Sequence, residues 1–332
     1  MTVSLPCKFW IPTLLSGGIL AGGILGVTSP AQAEHVESLE LFDMSLEELL
    51  TTKITSVTEF DDSFQTVTAS VSMIYQPIWI QLGARSVNEA LGHLPSVQVV
   101  DQALASQSIQ VRGYTTAGPR GLSTLLDGVP VNTFAFNTSA YHFGDVNLSN
   151  VSSIELIRGP VSVQYGSDAF HGALSMSSYS AKYDNTQVQL GTSTQANHNL
   201  GIRQSMGGDR HRFDVSISAT KQEAQNIEYR WTLLDGSADG DGEWDKQREA
   251  AMAVANYRYA HSDRLSYELS FYLQDDSRDN YPGYGRFFGT DLRERNLYDA
   301  DNQFGMMRGK TVYELDNNLS SELQLFYWQS KV

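Results

Sequence analysis

The chain has 332 residues, room for two domains of ordinary size and a sizeable buried core. A hydrophobic content of 41% with 18% charged residues is that of a folded protein. The net charge of −15 argues against a general nucleic-acid binder, which needs a cationic face for phosphates, and suits a protein that stays soluble while crossing an aqueous compartment.

The first element is an export signal. Lys8 precedes a mostly apolar run from Phe9 to Val27, and Ala31-x-Ala33 offers a small-residue cleavage site before Glu34. Pro12 and the Gly17-Gly18 and Gly22-Gly23 pairs interrupt the run too much for a spanning helix of about 20 apolar residues. Residues 1–33 therefore read as a signal peptide. The single cysteine, Cys7, falls inside it, so the mature chain is expected to have no disulfide, thiol nucleophile or thiolate metal site. With no other long apolar run, entry into a membrane would have to be as a β-barrel.

Residues 34–63 are polar and too short for a domain. Ser45 with Glu48 three residues on predicts a brief capped helix, and the β-branched stretch from Thr51 to Thr58 predicts a strand. Residues 64–180 predict a compact α+β globule. Strands are expected at Val67 to Tyr75, Val97 to Val100, Ser108 to Val111, Ser123 to Leu126 and Val151 to Ile157. A short helix begins at the cap Ser86, with Glu89 in the capping-box position. Asp127-Gly128 is a hairpin turn, and Gly159-Pro160 ends the last strand.

Residues 181–332 change texture. Phe213, Val215, Ile217 and Ala219 alternate with Arg212, Asp214, Ser216 and Ser218. Leu269, Phe271 and Leu273 alternate with Ser270, Tyr272 and Gln274 in the same way. Weaker strands are expected at Gln187 to Thr194, Leu200 to Met206, Ala251 to Ala260 and Ser321 to Gln329. Tight turns at Gly207-Gly208-Asp209 and His261-Ser262-Asp263 contrast with long polar loops expected from Lys221 to Arg248 and from Asp275 to Asn302. Two-faced strands of about ten residues with short turns on one side and long loops on the other are the pattern of an outer-membrane barrel. Tyr257, Tyr259, Tyr327 and Trp328 are its candidate interfacial aromatics. The competing reading is a soluble β-sandwich, whose strands also alternate.

Three motifs in order give the globule a resemblance. Ser108-Ile-Gln-Val-Arg-Gly-Tyr114, Leu125-Leu-Asp-Gly-Val-Pro-Val131, and Val151-Ser-Ser-Ile-Glu-Leu-Ile-Arg-Gly-Pro160 followed by Tyr165-Gly166 resemble blocks of the TonB-dependent receptor plug. The segment SVNEALGHLPSVQV from Ser86 resembles the helix before them. The resemblance implies an α+β plug domain followed by an antiparallel transmembrane β-barrel. It implies that Arg112 and Arg158, with Glu155 orienting the latter, lock the plug to carboxylates of the barrel wall. Gly113, Asp127, Gly128, Gly159, Pro160 and Gly166 are expected to shape turns. The family's strand for energy coupling, the TonB box, is assigned to Ile54, Thr55, Ser56, Val57 and Thr58, with Thr66-Val67-Thr68-Ala69 as the second candidate. A TonB-type periplasmic protein would grip it by strand addition. Two departures stand out. Gly172 to Tyr179 is more polar than the usual closing strand of a plug. About 150 residues after position 180 suffice for six to eight strands, whereas a plugged lumen goes with about 22, so the chain is expected to be an incomplete barrel.

Other chemistry is poorly represented. The histidines show no i, i+3 or i, i+4 pair, and there is no nucleophile elbow, Walker loop or zinc-protease motif. The carboxylate-rich stretch from Asp235 to Glu243 lacks the pattern of an EF-hand and reads as a solvated loop. No enzyme, cofactor or metal is expected. The partners expected are a TonB-type coupling protein, outer-membrane lipid and a small-molecule ligand, a ferric siderophore or cobalamin-type chelate by family resemblance. Tyr281, Tyr284, Phe287 and Phe288 are its candidate loop contacts. A non-transporting adhesin or passive pore on the same scaffold is the alternative.

Overall fold

A computed structural model of the chain describes residues 53–54, 62–63, 70–100, 107–113, 121–133, 138–139, 143, 145–166, 168–193, 197–232, 239–279, 299–316 and 319–331. The expected signal peptide, the helix near Ser45, residues Thr55 to Thr58, Tyr114 and the loop aromatics Tyr281, Tyr284, Phe287 and Phe288 lie outside these residues.

Two short strands come first. β1 (Lys53–Ile54) pairs antiparallel with β2 (Asp62–Ser63), Ile54 opposite Asp62. The globule then runs through β3 (Ser70–Tyr75), α1 (Gln76–Leu82), α2 (Val87–Gly92), β4 (Val97–Val100), β5 (Ser108–Val111), β6 (Leu122–Leu126), β7 (Val129–Pro130), a 3-10 turn (Leu148–Asn150), β8 (Val151–Arg158), α3 (Ser162–Tyr165) and β9 (Gly172–Ser178). Its main sheet has the order β3-β8-β9-β6-β7, with β6 and β9 parallel and the other neighbours antiparallel. β4 and β5 form a separate ladder. The core packs Ile154 and Leu156 of β8 against Ile74, Leu126 and Met176, with Val87 and Leu91 of α2 on top.

Local sequence explains most of these elements. Ser86 Oγ accepts the Glu89 N–H at 3.3 Å, closing the first half of the capping box. The Glu89 carboxylate turns instead to Arg85, accepting its backbone N–H at 2.8 Å and its guanidinium at 2.9 Å. Asp127 and Gly128 have φ of 48° and 77°, the pair of left-handed residues that a tight two-residue hairpin turn requires. Helix α1 was not expected. Ile78 and Ile80 suggest alternation, but Pro77 presets the first turn, where its missing donor costs nothing, and buried Trp79 anchors the helix. Gly83 ends it in the left-handed region at φ 70°.

The second half is one antiparallel meander: β10 (Asn185–Thr192), β11 (Asn197–Gly207), β12 (His211–Thr232), β13 (Asp239–Ser262), β14 (Leu265–Asp279), β15 (Asp299–Asp316) and β16 (Leu319–Lys331). Its end strands β10 and β16 do not pair with each other, so the sheet is an open wall. The expected loop from Lys221 to Arg248 is corrected: β12 and β13 stay paired from Lys221–Glu249 out to Thr232–Asp239, with a bulge between Gln222 and Gln225. The expected loop from Asp275 to Asn302 is shortened at both ends, since Asp275 to Asp279 pairs with Asp299 to Gln303. Outside a brief alternation of Ile227, Tyr229 and Trp231 this stretch is polar and rich in glycine and carboxylates, which reads as loop although the ladder persists. β15 escaped notice for another reason. Its inward Phe304 and Met306 are apolar and its outward Gly305 and Gly309 are blank, which erases the two-faced pattern.

The faces are inverted relative to a soluble protein. Leu273 is 54% exposed while its neighbour Tyr272 is fully buried, and Ser216, Ser218, Asn256 and Ser270 are buried beside exposed Ile217, Leu269 and Phe271. A soluble sandwich would bury the apolar set, so the wall is of the membrane-barrel kind. On the outer face His211, Tyr259 and Tyr267 stack in a row, with Phe213 against Tyr257 at 4.5 Å. The opposite border is the exposed Lys221–Glu249 pair at 2.9 Å. From His211 to Lys221 the rise is about 25 Å at about 3.3 Å per residue and a tilt of about 40°, the height of a bilayer-facing band. Tyr257, Tyr259 and Tyr327 face outward as expected for interfacial aromatics. Trp328 does not: it packs on inward Phe304 at 5.9 Å, its place set by the strand's parity.

Candidate functional site

The wall's polar face and the globule meet in one extensive interface, built at four places. At the β6–β7 turn, Asp127 Oδ1 accepts the Ser178 N–H at 2.8 Å and Oδ2 accepts Ser178 Oγ at 2.6 Å. The same carboxylate accepts the hydroxyl of Tyr272 from the wall, and Asn256 of the wall donates to Ser178 Oγ at 2.8 Å and to the Tyr179 carbonyl at 3.1 Å. Asp127 was read as a turn residue only. Its carboxylate also joins the globule to β14 through Tyr272, which sequence could not reveal because that partner lies 145 residues away.

The second place is the 3-10 turn. A carbonyl oxygen accepts two hydrogen bonds, so Leu148 O, which already takes the Val151 N–H, and the neighbouring carbonyls can accept from Arg203 of β11. Arg203 donates through Nε to Ser149 O at 2.7 Å and through Nη2 to Leu148 O and to Val151 O, the latter at 3.1 Å. Beside it Asn150 Nδ2 donates to Ser216 Oγ at 3.1 Å, Ser218 donates to Asn150 Oδ1, and Asn147 donates to Thr220 at 3.2 Å. Gly201 makes room: a Cβ there would lie 1.9 Å from Ser149 Oγ.

The third place is a buried charge network. Asp145 caps α2 by accepting the Asn88 N–H at 3.0 Å, and Arg248 of the wall reaches both the Asp145 carbonyl at 3.0 Å and its carboxylate at 3.9 Å. Arg248 also pairs with Asp276, which pairs with Arg278 at 2.6 Å. Burial pushes the Asp145 carboxyl up, opposed by the nearby Arg248 guanidinium. The fourth place is the exit of the globule, where Asp214 accepts the Ala181 N–H at 3.2 Å and Arg258 at 2.7 Å. Between these polar sites lies an apolar patch in which Phe143 meets Phe304 edge-on at 5.0 Å beside Met252, Val254 and Met306.

Arg112, Glu155 and Arg158 occupy a different region. Arg112, in the left-handed region at φ 59°, donates to the Arg158 carbonyl at 3.1 Å. Arg158 donates to Ser70 Oγ at 2.9 Å and to Ser72, so it ties β8 to β3. Glu155 is buried in the middle of β8. Burial raises its carboxyl to about 7, and burial together with Glu155 pushes Tyr75 up to about 12. The described bonds of the two arginines are thus inside the globule. The charged contacts with the wall run the other way, from carboxylates of Asp127 and Asp145 on the globule to Tyr272 and Arg248. Among the described residues no group of His, Cys, Asp and Glu is arranged to hold a metal.

Residues 63–173 match the family model described as the TonB-dependent Receptor Plug Domain. The chain is 28% identical over 150 residues to a vitamin B12 transporter of Photobacterium profundum, covering 45% of this chain and 24% of the transporter. It is 23% identical over 277 residues to a vitamin B12 transporter of Vibrio vulnificus, covering 76% of this chain and 43% of that one. Among solved structures, it is similar to the Pseudomonas aeruginosa receptor FpvA bound to heterologous pyoverdines, with a TM-score of 0.66 and 10% identity over 85% of this chain and 37% of the receptor. It is also similar to the ferric yersiniabactin uptake receptor FyuA of Yersinia pestis, with a TM-score of 0.62 and 17% identity over 84% and 43%. The chain therefore spans less than half the length of these relatives. Residues 63–173 thus match a TonB-dependent receptor plug domain, and with that plug keyed to the polar face of an open, barrel-like wall the chain is similar in fold to the front part of TonB-dependent receptors.

Proposed function

We propose that the protein serves in the outer membrane as a receptor for energy-coupled uptake of a scarce ligand, a ferric siderophore or a cobalamin-type chelate. The carrying observation is the inverted wall: apolar outside, polar inside, with a plug bonded to the polar face. A passage for a polar ligand needs such a lumen, and a plug held by hydrogen bonds and ion pairs, which water can replace, is one that can be shifted. The relatives are named for vitamin B12, ferripyoverdine and ferric yersiniabactin, which supports the ligand class. Residues 1–33 direct export. Residues 34–63 form the periplasmic tether, with Ile54 in the strand taken by a TonB-type protein. Arg158, tying β8 to the first strand after the tether, stands where a pull would enter the plug, with Arg112 and Glu155 beside it.

The test uses cells making the complete protein and labelled vitamin B12 and ferric siderophores. Accumulation is expected to vanish with a protonophore and with Ile54→Pro, since proline removes a ladder donor. Uptake unchanged in the variant would sink the tether assignment. Binding without energy-dependent accumulation would favour the adhesin or passive-pore reading.

A further inference from the structure

At the turn end of the wall's inner face lies a pocket of about 320 Å³ that the plug does not fill. Lys182 reaches it from the link between β9 and β10, Arg210 from the β11–β12 turn, and Arg212, Arg258 and Lys310 from neighbouring strands. Against these five cations the lining carries two carboxylates, Asp209 and Glu268. Three of the cations are already engaged: Arg258 with Asp214 at 2.7 Å, Arg212 with Asp184 at 3.4 Å and Lys310 with Glu322 at 2.8 Å. Lys182 and Arg210 stand outside the described ion pairs and are exposed. Arg210 belongs to the turn itself, so its charge points where a chain approaching from the turn side would pass.

The opposite charge is found in the chain itself. Residues 34–63 hold nine Asp and Glu residues against one Lys or Arg, Lys53. Only six residues separate Ser63 from Ser70 of the plug, and the acidic cluster of Glu59, Asp61 and Asp62 lies just before that junction. Extended chain covers about 3.4 Å per residue, so the segment between Ser63 and Ser70 gives the cluster a reach of about 24 Å beyond Ser70.

We propose that the acidic tether docks in this basic pocket, with Glu59, Asp61 and Asp62 against Lys182 and Arg210. Docking keeps the strand at Ile54 beside the wall until a coupling protein draws it off. The inference rests on reading residues 34–63 as a tether on the turn side of the wall. Pairs at a wet surface are individually weak and screened within about 8 Å at physiological salt, so the attachment is reversible and sensitive to ionic strength.

The test places a nitroxide at Ser63→Cys in the full protein, in a Cys7→Ser background, embedded in outer-membrane vesicles. An immobilised spectral component is expected at about 0.02 M salt and its loss at about 0.5 M. The same loss is expected at low salt in the double variant Lys182→Glu, Arg210→Glu. Adding Asp61→Arg and Asp62→Arg should restore the component. A second label at Ser277→Cys, near the opposite end of β14 from the lining residues Ser266 to Glu268, reports whether the wall is intact and should not change. A Ser63 spectrum indifferent to reversing the pocket charges would overturn docking. So would a loss that the tether reversal fails to restore, or immobilisation that follows lipid charge instead of pocket charge. None of these readings involves uptake, so failure of the transport reading leaves a separate trace.

Discussion

Plug and wall use the same extended backbone but dispose of their side chains in opposite senses. In β8 of the plug, Ile154 and Leu156 point into an apolar core, as in any water-soluble domain. In β14 of the wall, Leu269, Phe271 and Leu273 point away from the protein while Ser270, Tyr272 and Gln274 face the plug. The plug is folded by excluding water. The wall is held by ladder hydrogen bonds and by a polar face that the plug must satisfy. The difference lies in the solvent each was built for, and it explains why the interface between them is dominated by hydrogen bonds.

Four experiments sharpen or break that contrast. Leu156→Ala, a cavity in the plug core, is expected to cost about 2–5 kcal/mol, read as a lower urea midpoint for the plug signal of the full protein. A loss within experimental error would mean that this core is not what holds the plug together. Phe271→Arg, on the outer face at mid-belt, is expected to cost about 2–4 kcal/mol of folding into lipid bilayers. If it folded normally there, that face would not meet lipid.

Glu155 brings pH into the plug. Its carboxyl is raised in the folded chain from 4.5 to about 7 by burial. Below the unfolded value both states are protonated and nothing is lost. As pH rises toward 7 the unfolded chain releases a proton that the folded chain keeps, so stability falls, by roughly 3 kcal/mol in full. Glu155→Gln should therefore match the wild type near pH 4 and exceed it at pH 8, in unfolding curves taken at both. Equal pH dependence in the two proteins would remove Glu155 as the cause. The smallest effect is expected at the interface. Asp127→Ala leaves the Tyr272 hydroxyl and Ser178 without their acceptor, at about 1–3 kcal/mol, and Tyr272→Phe in the same background should add little. Additive losses would show that the two side chains do not act as a pair.

Much of this fold was legible in the residues. The capped helix at Ser86, the hairpin at Asp127-Gly128 and the alternation around Phe213 and Phe271 each follow from a local rule: a side-chain cap, a left-handed turn, a period of two. Helix α1 was hidden because its fate hung on Trp79 finding a core. β15 was hidden because contact with the plug allowed Phe304 and Met306 on the inner face. The outer halves of β12 and β13 were hidden because a polar stretch rich in glycine and carboxylates reads as loop.

The site divides in the same way. Arg112, Glu155 and Arg158 came into view through the resemblance of three linked motifs, since a cation beside a glycine at a strand end reads by itself as an ordinary surface arginine. The contacts that join plug to wall are Asp127 to Tyr272, Arg203 to the 148–151 carbonyls and Arg248 to Asp145. Each pairs groups far apart in the chain, and which of them meet depends on strand parity and on how the plug seats against the sheet. Local rules decide which way a side chain faces; only the packed structure decides what stands opposite. The sequence by itself determined that there is a plug, that the strands after it are two-faced, and which residues turn. The tertiary structure decided that the polar face is the buried one and that a hairpin aspartate serves as a bond to the wall.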